Sequence, residues 1–120
     1  MAAKDDLGRA GEQRAADHLI AGGYRIIDRN WRCSQGEVDI VAIRDDVLAV
    51  VEVKTRRSLA YGHPLEAIDD RKAARLWRLS AAWIAAHPDE ARGRRLRLDA
   101  IAVTGVDPAT GDLEHWEDAL

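Results

Sequence analysis

Three things are scarce in this sequence, and each scarcity narrows the class of protein. Cys33 is its single cysteine, which excludes an intramolecular disulfide and fits a reducing compartment. No run of 18 apolar residues occurs, so no transmembrane helix is expected. The charged residues near the start are followed by no apolar stretch, so we expect no signal peptide and a cytoplasmic protein.

Excess positive charge is also missing. The formal net charge is −3, whereas affinity for duplex DNA comes largely from neutralising phosphates. Any nucleic-acid binding therefore has to rest on local basic patches. The length of 120 residues with 32% charged residues is typical of one globular domain, which we expect to span residues 1–120.

The most informative feature is a predicted β-hairpin in the first half of the chain. The segments Gly36–Ile43 and Val50–Thr55 are rich in Val and Ile, as strands are. If the hairpin turns about the Asp45–Asp46 bond, residues whose numbers sum to 91 face each other. Side chains alternate between the two faces of a strand, so this register places four charged residues on one side of the sheet.

Those four residues are Glu37, Asp39, Glu52 and Lys54. The register sets Asp39 opposite Glu52 and Glu37 opposite Lys54, with facing Cβ atoms about 4.5–5.5 Å apart. Two carboxylates at that distance repel, and a divalent cation such as Mg²⁺ would reverse this effect. The other interpretation is a cross-strand ion-pair patch on a solvated sheet face, with Glu37–Lys54 as one pair.

The choice of lysine at position 54 favours the metal site. The chain has 15 Arg and only 3 Lys, so a position that needs only positive charge would more often hold Arg. A lysine ammonium is compact and its pKa is easily shifted, which suits a group that holds or activates a water.

Asp39, followed 13 residues later by Glu52-Val53-Lys54, resembles the signature of the PD-(D/E)XK, or restriction-endonuclease-like, nucleases. Val38 stands where the usual Pro would be. A wider pattern, from about residue 8 to 104, resembles the small uncharacterised bacterial YraN-like family, which is similar to archaeal Holliday-junction resolvases. The segments that carry it are Gly8–Glu12, Ala15-Ala16, Gly23-Tyr24, Asn30–Arg32, Gly36–Ala42, Val51–Arg56, Lys72 and Leu98–Val103.

This resemblance implies a metal-dependent endonuclease that hydrolyses phosphodiester bonds of DNA. Asp39 and Glu52 would bind Mg²⁺ (or Mn²⁺) with the Val53 backbone carbonyl, and Lys54 would orient the attacking water. Glu37 would lie just behind these residues. Resemblance to junction resolvases implies branched or junction DNA as substrate and a homodimer, because resolving a junction needs two cuts.

The fold class follows from the order of elements and agrees with the resemblance: α/β, a restriction-endonuclease-like core (α-β-β-β-α-β) with a mixed sheet flanked by helices. Besides the hairpin, the predicted elements are a helix from Asp5 to Gly22, a strand from Tyr24 to Trp31, a helix from Leu65 to His87, a strand from Leu96 to Thr104 and a short edge strand or ordered terminus near Trp116.

Glu12 is the fourth acidic candidate. It shares a side of the first helix with Gly8, Ala15 and Ala16 at helical spacing, so its carboxylate either reaches over the sheet edge or is solvated like most helix glutamates. In the resolvase-like group a helix glutamate at this place joins the metal site, which implies a role for Glu12 with a second metal ion or a water.

Six basic residues are candidates for phosphate contacts. Arg71, Arg75 and Arg78 recur along one side of the predicted second helix, and Lys72 lies near its start. Arg56 and Arg57 directly follow the proposed site. There are two interpretations of these residues. Either they line a groove that binds the DNA backbone without reading the bases, or they form an ordinary solvated surface.

Two other classes of function remain open. One is a catalytically inert nucleic-acid-binding or protein-interaction module that keeps the nuclease fold. The other is a salt-bridged structural face that binds no metal. His63 is a further candidate base, but a His before Pro more often serves a turn.

Overall fold

The structure of the chain is a computed structural model that describes residues 3–60 and 62–120. Its elements, in chain order, are α1 (Ala3–Ala21), β1 (Arg25–Cys33), β2 (Gly36–Arg44), β3 (Val47–Arg56), a 3₁₀ turn (Pro64–Ala67), α2 (Asp70–Ala86), α3 (Pro88–Ala91), β4 (Arg95–Thr104) and β5 (Asp112–Trp116). The predicted order α-β-β-β-α-β and the α/β class are confirmed, and β5 is the expected short edge strand.

The five strands form one mixed sheet in the order β1-β2-β3-β4-β5. β3 and β4 are parallel, and the other neighbouring pairs are antiparallel. Parallel neighbours need a crossover connection, and the segment containing α2 supplies it.

The hairpin register is confirmed over the paired part of β2 and β3. Partners run from Ile40–Val51 to Arg44–Val47, and their numbers sum to 91. Asp45 has φ of 53° in the turn, a left-handed conformation that Asp tolerates better than most residues because its short side chain bonds locally.

The core consists of two apolar layers, one on each face of the sheet. Alternate residues of β3 point to opposite faces, so Val51 packs with Leu19 of α1, while Val50 packs with Leu79 and Trp83 of α2. The sheet is therefore covered by one helix on each side. Within the described ranges, no helix is both long enough and apolar enough to cross a membrane.

The prediction of one helix from Leu65 to His87 is wrong at its start. The chain makes the 3₁₀ turn, passes through extended backbone at Ile68 (φ −93°, ψ 97°), and begins α2 at Asp70. The Asp69 side chain accepts a hydrogen bond from the Lys72 backbone N–H at 3.0 Å. This N-cap satisfies a helix-end donor and sets where α2 begins.

Candidate active site

Strands β2 and β3 diverge, and the candidate site lies where they separate. Their pairing stops at Ile40–Val51. Beyond that point the start of β2 pairs only with β1, as far as Gly36, while the end of β3 pairs with β4, as far as Arg56. We call this separation the strand fork.

Asp39 is the first residue of β2 inside the strand fork. Its Oδ2 accepts a hydrogen bond from the backbone N–H of Val53 at 2.8 Å. A side chain thus replaces the main-chain partner that the ladder would have provided, which satisfies a donor that would otherwise be unpaired. The Asp39 carboxylate is therefore held against β3 beside Glu52.

Glu52 and Lys54 lie on the same face of β3, next to Asp39. Lys54 Nζ lies 3.0 Å from Glu52 Oε1, and the side chains are 21% and 16% exposed. A mostly buried ion pair is weak evidence of stabilisation, because desolvation opposes the Coulomb attraction. The pair holds the ammonium of Lys54, which lines a groove, against the carboxylate of Glu52.

Glu37 does not pair with Lys54, so that predicted contact is wrong. The strands have already separated at this position, and Glu37 instead faces Arg32 of β1. Glu37 Oε2 and Arg32 Nε are 2.9 Å apart.

Asn30 joins two of the predicted acidic residues, Glu12 and Glu37. This role of Asn30 is not predicted from the sequence. Asn30 lies on β1 between the pairs Arg29–Ile40 and Trp31–Val38. With its amide nitrogen turned towards the carboxylates, it donates to Glu37 Oε1 at 2.9 Å and to Glu12 Oε1 at 2.8 Å.

The one indication in the sequence is that Asn30 belongs, with Trp31 and Arg32, to the pattern that resembles the YraN-like family. Its φ of 53° suits Asn, which enters the left-handed region more readily than most residues. Such a conformation inside a strand is not visible in the sequence.

Glu12 reaches the strand fork because α1 packs unusually close to β3. A Cβ placed on Gly11 would lie 1.9 Å from Thr55 Oγ1, so any other residue there would push the helix away. Gly11 thus permits the close approach. The alternative of a fully solvated Glu12 is not what the structure has, since Glu12 is half-buried and bonded to Asn30.

Two carboxyl groups at the strand fork, those of Asp39 and Glu12, have raised pKa values. Burial and, next, the nearby Glu52 carboxylate together raise the pKa of Asp39 to about 8, against the lowering effect of the Val53 N–H bond. Burial also raises the pKa of Glu12, opposed by Arg29 and reinforced by Glu37. Burial is the largest cause for both groups, so the protein disfavours the charged forms of these two carboxyls.

No group of three His, Cys, Asp or Glu side chains in residues 3–60 and 62–120 is arranged to hold a metal ion. The oxygen donors at the strand fork are two neighbouring carboxylates, Asp39 and Glu52, and the carbonyl of Val53. Glu12 lies near them but is bonded to Asn30.

A groove of about 750 Å³ opens beside the strand fork. Glu12, Lys54, Arg56 and Arg57 line it, together with Leu7, Gly8, Val53, Thr55 and Ser58. The groove therefore brings two candidate catalytic residues, Glu12 and Lys54, together with Arg56 and Arg57, which are predicted to bind phosphate.

The basic residues of α2 lie elsewhere. Arg71, Arg75 and Arg78 are exposed and Lys72 is half-buried, and none of the four is among the described residues that line the groove. The turn of α2 that contains Arg78 passes over the start of β2, where Leu79 packs 3.7 Å from the position of a Cβ on Gly36.

His63 takes part in a turn, as the alternative interpretation held. Its Nδ1 accepts the backbone N–H of Leu65 at 3.1 Å, and its Nε2 pairs with the Glu114 carboxylate. The ring also stacks on Trp116, with centroids 5.4 Å apart. His63 therefore fixes the 3₁₀ turn against β5.

The chain belongs to the uncharacterised protein family UPF0102, whose model matches residues 11–103. A UPF0102 protein of Paenarthrobacter aurescens (strain TC1) is 54% identical over 115 residues, covering 96% of this chain and 93% of the relative. One from Arthrobacter sp. (strain FB24) is 53% identical, with 96% of each chain covered. One from Clavibacter michiganensis is 50% identical over 103 residues, 86% of each. The predicted family membership is confirmed.

Proposed function

We propose that this protein is a Mg²⁺-dependent (or Mn²⁺-dependent) endodeoxyribonuclease of the PD-(D/E)XK superfamily that hydrolyses phosphodiester bonds of DNA. The observation that supports it most is the convergence of Asp39, Glu52 and Lys54 at the strand fork, beside a groove lined by Arg56 and Arg57. Resemblance to junction resolvases adds branched DNA as the preferred substrate and a homodimer as the working form.

The residues at the strand fork suit Mg²⁺ by donor type. Mg²⁺ in proteins usually takes one or two carboxylates, keeps several waters, and completes its shell with substrate phosphate oxygens. Asp39, Glu52 and the Val53 carbonyl meet that need without a third acidic ligand. The raised pKa of Asp39 marks a place where a bound cation would offset uncompensated charge. When bound, the ion would supply Lewis-acid stabilisation of the phosphate and a more acidic water.

The chain's own groups would do the rest. Lys54, held next to Glu52, would orient the attacking water and stabilise charge that develops on the phosphate. Glu12, held by Asn30, would position a second water or ion. Arg56 and Arg57 would hold the backbone in the groove through phosphate contacts that carry no sequence information.

A second candidate function is a nucleic-acid-binding or protein-interaction module without turnover. The observation that favours it is that the cluster is internally satisfied: Lys54 pairs with Glu52, Asn30 bridges Glu12 and Glu37, and Asp39 bonds to β3. The net charge of −3 favours the protein-binding form of this alternative.

A cleavage assay separates the two functions. The wild-type protein, Glu52→Gln and Glu90→Gln would be incubated with linear duplex, single-stranded, flap and four-way-junction DNA in Mg²⁺ or Mn²⁺. Glu90 is an exposed glutamate in α3 and serves as the matched control. The proposal expects metal-dependent cutting by the wild type and Glu90→Gln and none by Glu52→Gln.

Preference for the four-way junction would support the resolvase-like substrate, and preference for linear DNA would remove it. Cutting that is equal in wild type and Glu52→Gln would mean a contaminating nuclease and would refute the proposed site. Binding of DNA by all three proteins without cutting would favour the inert module.

A further inference from the structure

A second polar cluster lies between α1 and β5, at the edge of the sheet opposite β1. α1 crosses the sheet, so Glu12 contacts Asn30 on the β1 edge while His18 contacts His115 on the β5 edge. His18 and His115 are two of the chain's four histidines, and nothing in the proposed nuclease function uses them.

The orientation of His115 is set by a buried carboxylate. Asp99 is fully buried and forms a bidentate pair with Arg97, at 2.8 and 2.7 Å, so it is an ionised acceptor. His115 Nε2 lies 2.8 Å from Asp99 Oδ2 and therefore carries the proton of that hydrogen bond. This leaves the lone pair on His115 Nδ1 facing His18.

Carboxylate support of this kind commonly accompanies histidines that bind metals. A ligating histidine usually donates its other ring N–H to a carboxylate, which fixes the tautomer and makes the ligating nitrogen more basic. Asp99 and His115 have that relationship, and the other ring nitrogen of His115, Nδ1, faces His18 of α1.

The spacing of the two ring nitrogens that face each other is suitable for a shared ion. His18 Nε2 and His115 Nδ1 are 3.1 Å apart. With metal–nitrogen bonds of about 2.0–2.1 Å, two neighbouring nitrogen ligands lie about 2.9–3.4 Å apart. His18 is exposed, and the His115 side chain is 11% exposed, so an ion can enter from the His18 side.

The guanidinium of Arg14 opposes a cation at His18. Arg14 lies one turn before His18 on α1, but its Nη1 is turned to the carbonyls of Pro108, Ala109 and Gly111, at 2.8, 3.1 and 2.9 Å. Those three dipoles offset part of the guanidinium charge. The guanidinium of Arg97 is paired with Asp99. Among the described residues no further His, Cys, Asp or Glu completes a three-ligand group, so waters would fill the remaining positions.

We propose that His18 Nε2 and His115 Nδ1 bind a divalent transition-metal ion of the Zn²⁺ class, with Asp99 supporting His115. The ion replaces the hydrogen bond between the rings and links α1 to β5. Because imidazole suits Zn²⁺, Cu²⁺ and Ni²⁺ better than Mg²⁺, this site and the strand fork would select different metals.

Calorimetric titration with Zn²⁺ at pH 7.5 tests this proposal. Wild-type protein, His18→Gln, His87→Gln and the double variant Asp39→Asn/Glu52→Gln would be compared, each first confirmed to be folded by circular dichroism. We expect one Zn²⁺ per chain for the wild type, His87→Gln and the double variant. His18→Gln should weaken binding about tenfold or more.

A matching readout is the melting temperature, which Zn²⁺ should raise in the wild type but not in His18→Gln, because a ligand that binds only the folded state stabilises it. The proposal is overturned if wild type binds no Zn²⁺ at millimolar concentration, or if His18→Gln binds as tightly as wild type. Binding that is lost only in the double variant would assign the ion to the strand fork instead.

Discussion

Asp39 Oδ2 accepts the backbone N–H of Val53 at 2.8 Å, just past the last β2–β3 pair, Ile40–Val51. One carboxylate therefore serves two purposes. It completes the hydrogen bonding of β3 where the ladder has ended, and it lies beside Glu52, where its own ionisation is disfavoured. The fold and the candidate site therefore both depend on the Asp39 carboxylate.

Asp39→Asn should stabilise the metal-free protein in a pH-dependent way. The pKa of Asp39 is about 8 in the folded chain against an ordinary value of 3.8. As pH rises from 4 to 8, the unfolded chain loses its proton first, so wild type loses stability that the variant keeps. The amide oxygen of Asn can still accept the Val53 N–H.

We expect Asp39→Asn to be more stable than wild type by about 1–3 kcal/mol at pH 8.5. This is less than the full shift would give at about 1.4 kcal/mol per pKa unit, because the neighbours rearrange. Near pH 4 the difference should largely disappear. Urea unfolding in EDTA at both pH values measures it, with Glu90→Gln as control. A stability difference that is the same at both pH values would contradict the raised pKa.

Lys54→Met should abolish cleavage while leaving metal binding in place. The change removes the ammonium next to Glu52 but keeps the length of the side chain. Loss of a group that orients water or stabilises the transition state costs about 10²–10⁴-fold in rate. Single-turnover cleavage and Mg²⁺ titration would be run together. Equal loss of both activities would indicate a structural role for Lys54 instead.

Gly11→Ala should destabilise the protein, whereas Gly8→Ala, in the same helix, should not. An added Cβ at Gly11 would lie 1.9 Å from Thr55 Oγ1, while nothing lies within 4 Å of one at Gly8. Overpacking costs about 1–3 kcal/mol, and Gly→Ala in an open helix position stabilises by about 0.5–1 kcal/mol.

Thermal unfolding of the two glycine variants gives opposite signs if α1 is held close by Gly11. The double variant Gly11→Ala/Thr55→Ala removes two of the three clashing atoms and should recover part of the loss. Similar melting temperatures for Gly8→Ala and Gly11→Ala would show that α1 can move away from β3 at no cost.

Asn30→Asp should weaken the fold at neutral pH by about 1–2 kcal/mol. The substitution keeps the shape but replaces a donor to Glu12 and Glu37 with a third negative charge. Each carboxylate loses a hydrogen bond and gains a repulsive neighbour, although Glu37 keeps its ion pair with Arg32. The defect should shrink at pH 4, where Glu12, whose pKa is raised, is mostly protonated. Urea midpoints at pH 4 and 7.5 report it, and an unchanged midpoint at pH 7.5 would rule out the bridging role of Asn30.

Arg56→Ala/Arg57→Ala should reduce both DNA affinity and its dependence on salt. Each phosphate contact contributes about 0.9 to the slope of log K against log salt, so the slope should fall by about 2. Arg92→Ala/Arg95→Ala is the matched control, since both arginines are exposed and Arg95 pairs with the first residue of β3, at the far end from the groove. Equal loss in the two double variants would mean that binding is not confined to the groove.

Much of the fold could be predicted because it depends on local patterns. Alternation and β-branched residues define β2 and β3, and the Asp45–Asp46 turn sets their register, which the structure confirms. The start of α2 is a different case. Leu65 and Ile68 lie at helical spacing, which favours a longer helix, but the Asp69 side chain caps α2 and the helix begins at Asp70.

The candidate site was predicted in its residues but not in its geometry. The spacing of Asp39, Glu52 and Lys54 identified three residues that the structure brings together. When the same register is continued to Glu37 and Lys54, it predicts a contact that the structure does not have, because a sequence does not show where two paired strands separate. That point depends on β1 and β4, which hold the diverging ends of β2 and β3.

By itself, then, the sequence determined the family, the order of helices and strands, the hairpin register and the identity of the acidic residues and lysine, because all of these follow from local pattern and spacing. Only the tertiary structure decided the strand fork, the contact of Gly11 with Thr55, the bridge made by Asn30 and the meeting of His18 with His115. Each of these depends on elements distant in the chain that pack together, and packing geometry cannot be read from local periodicity.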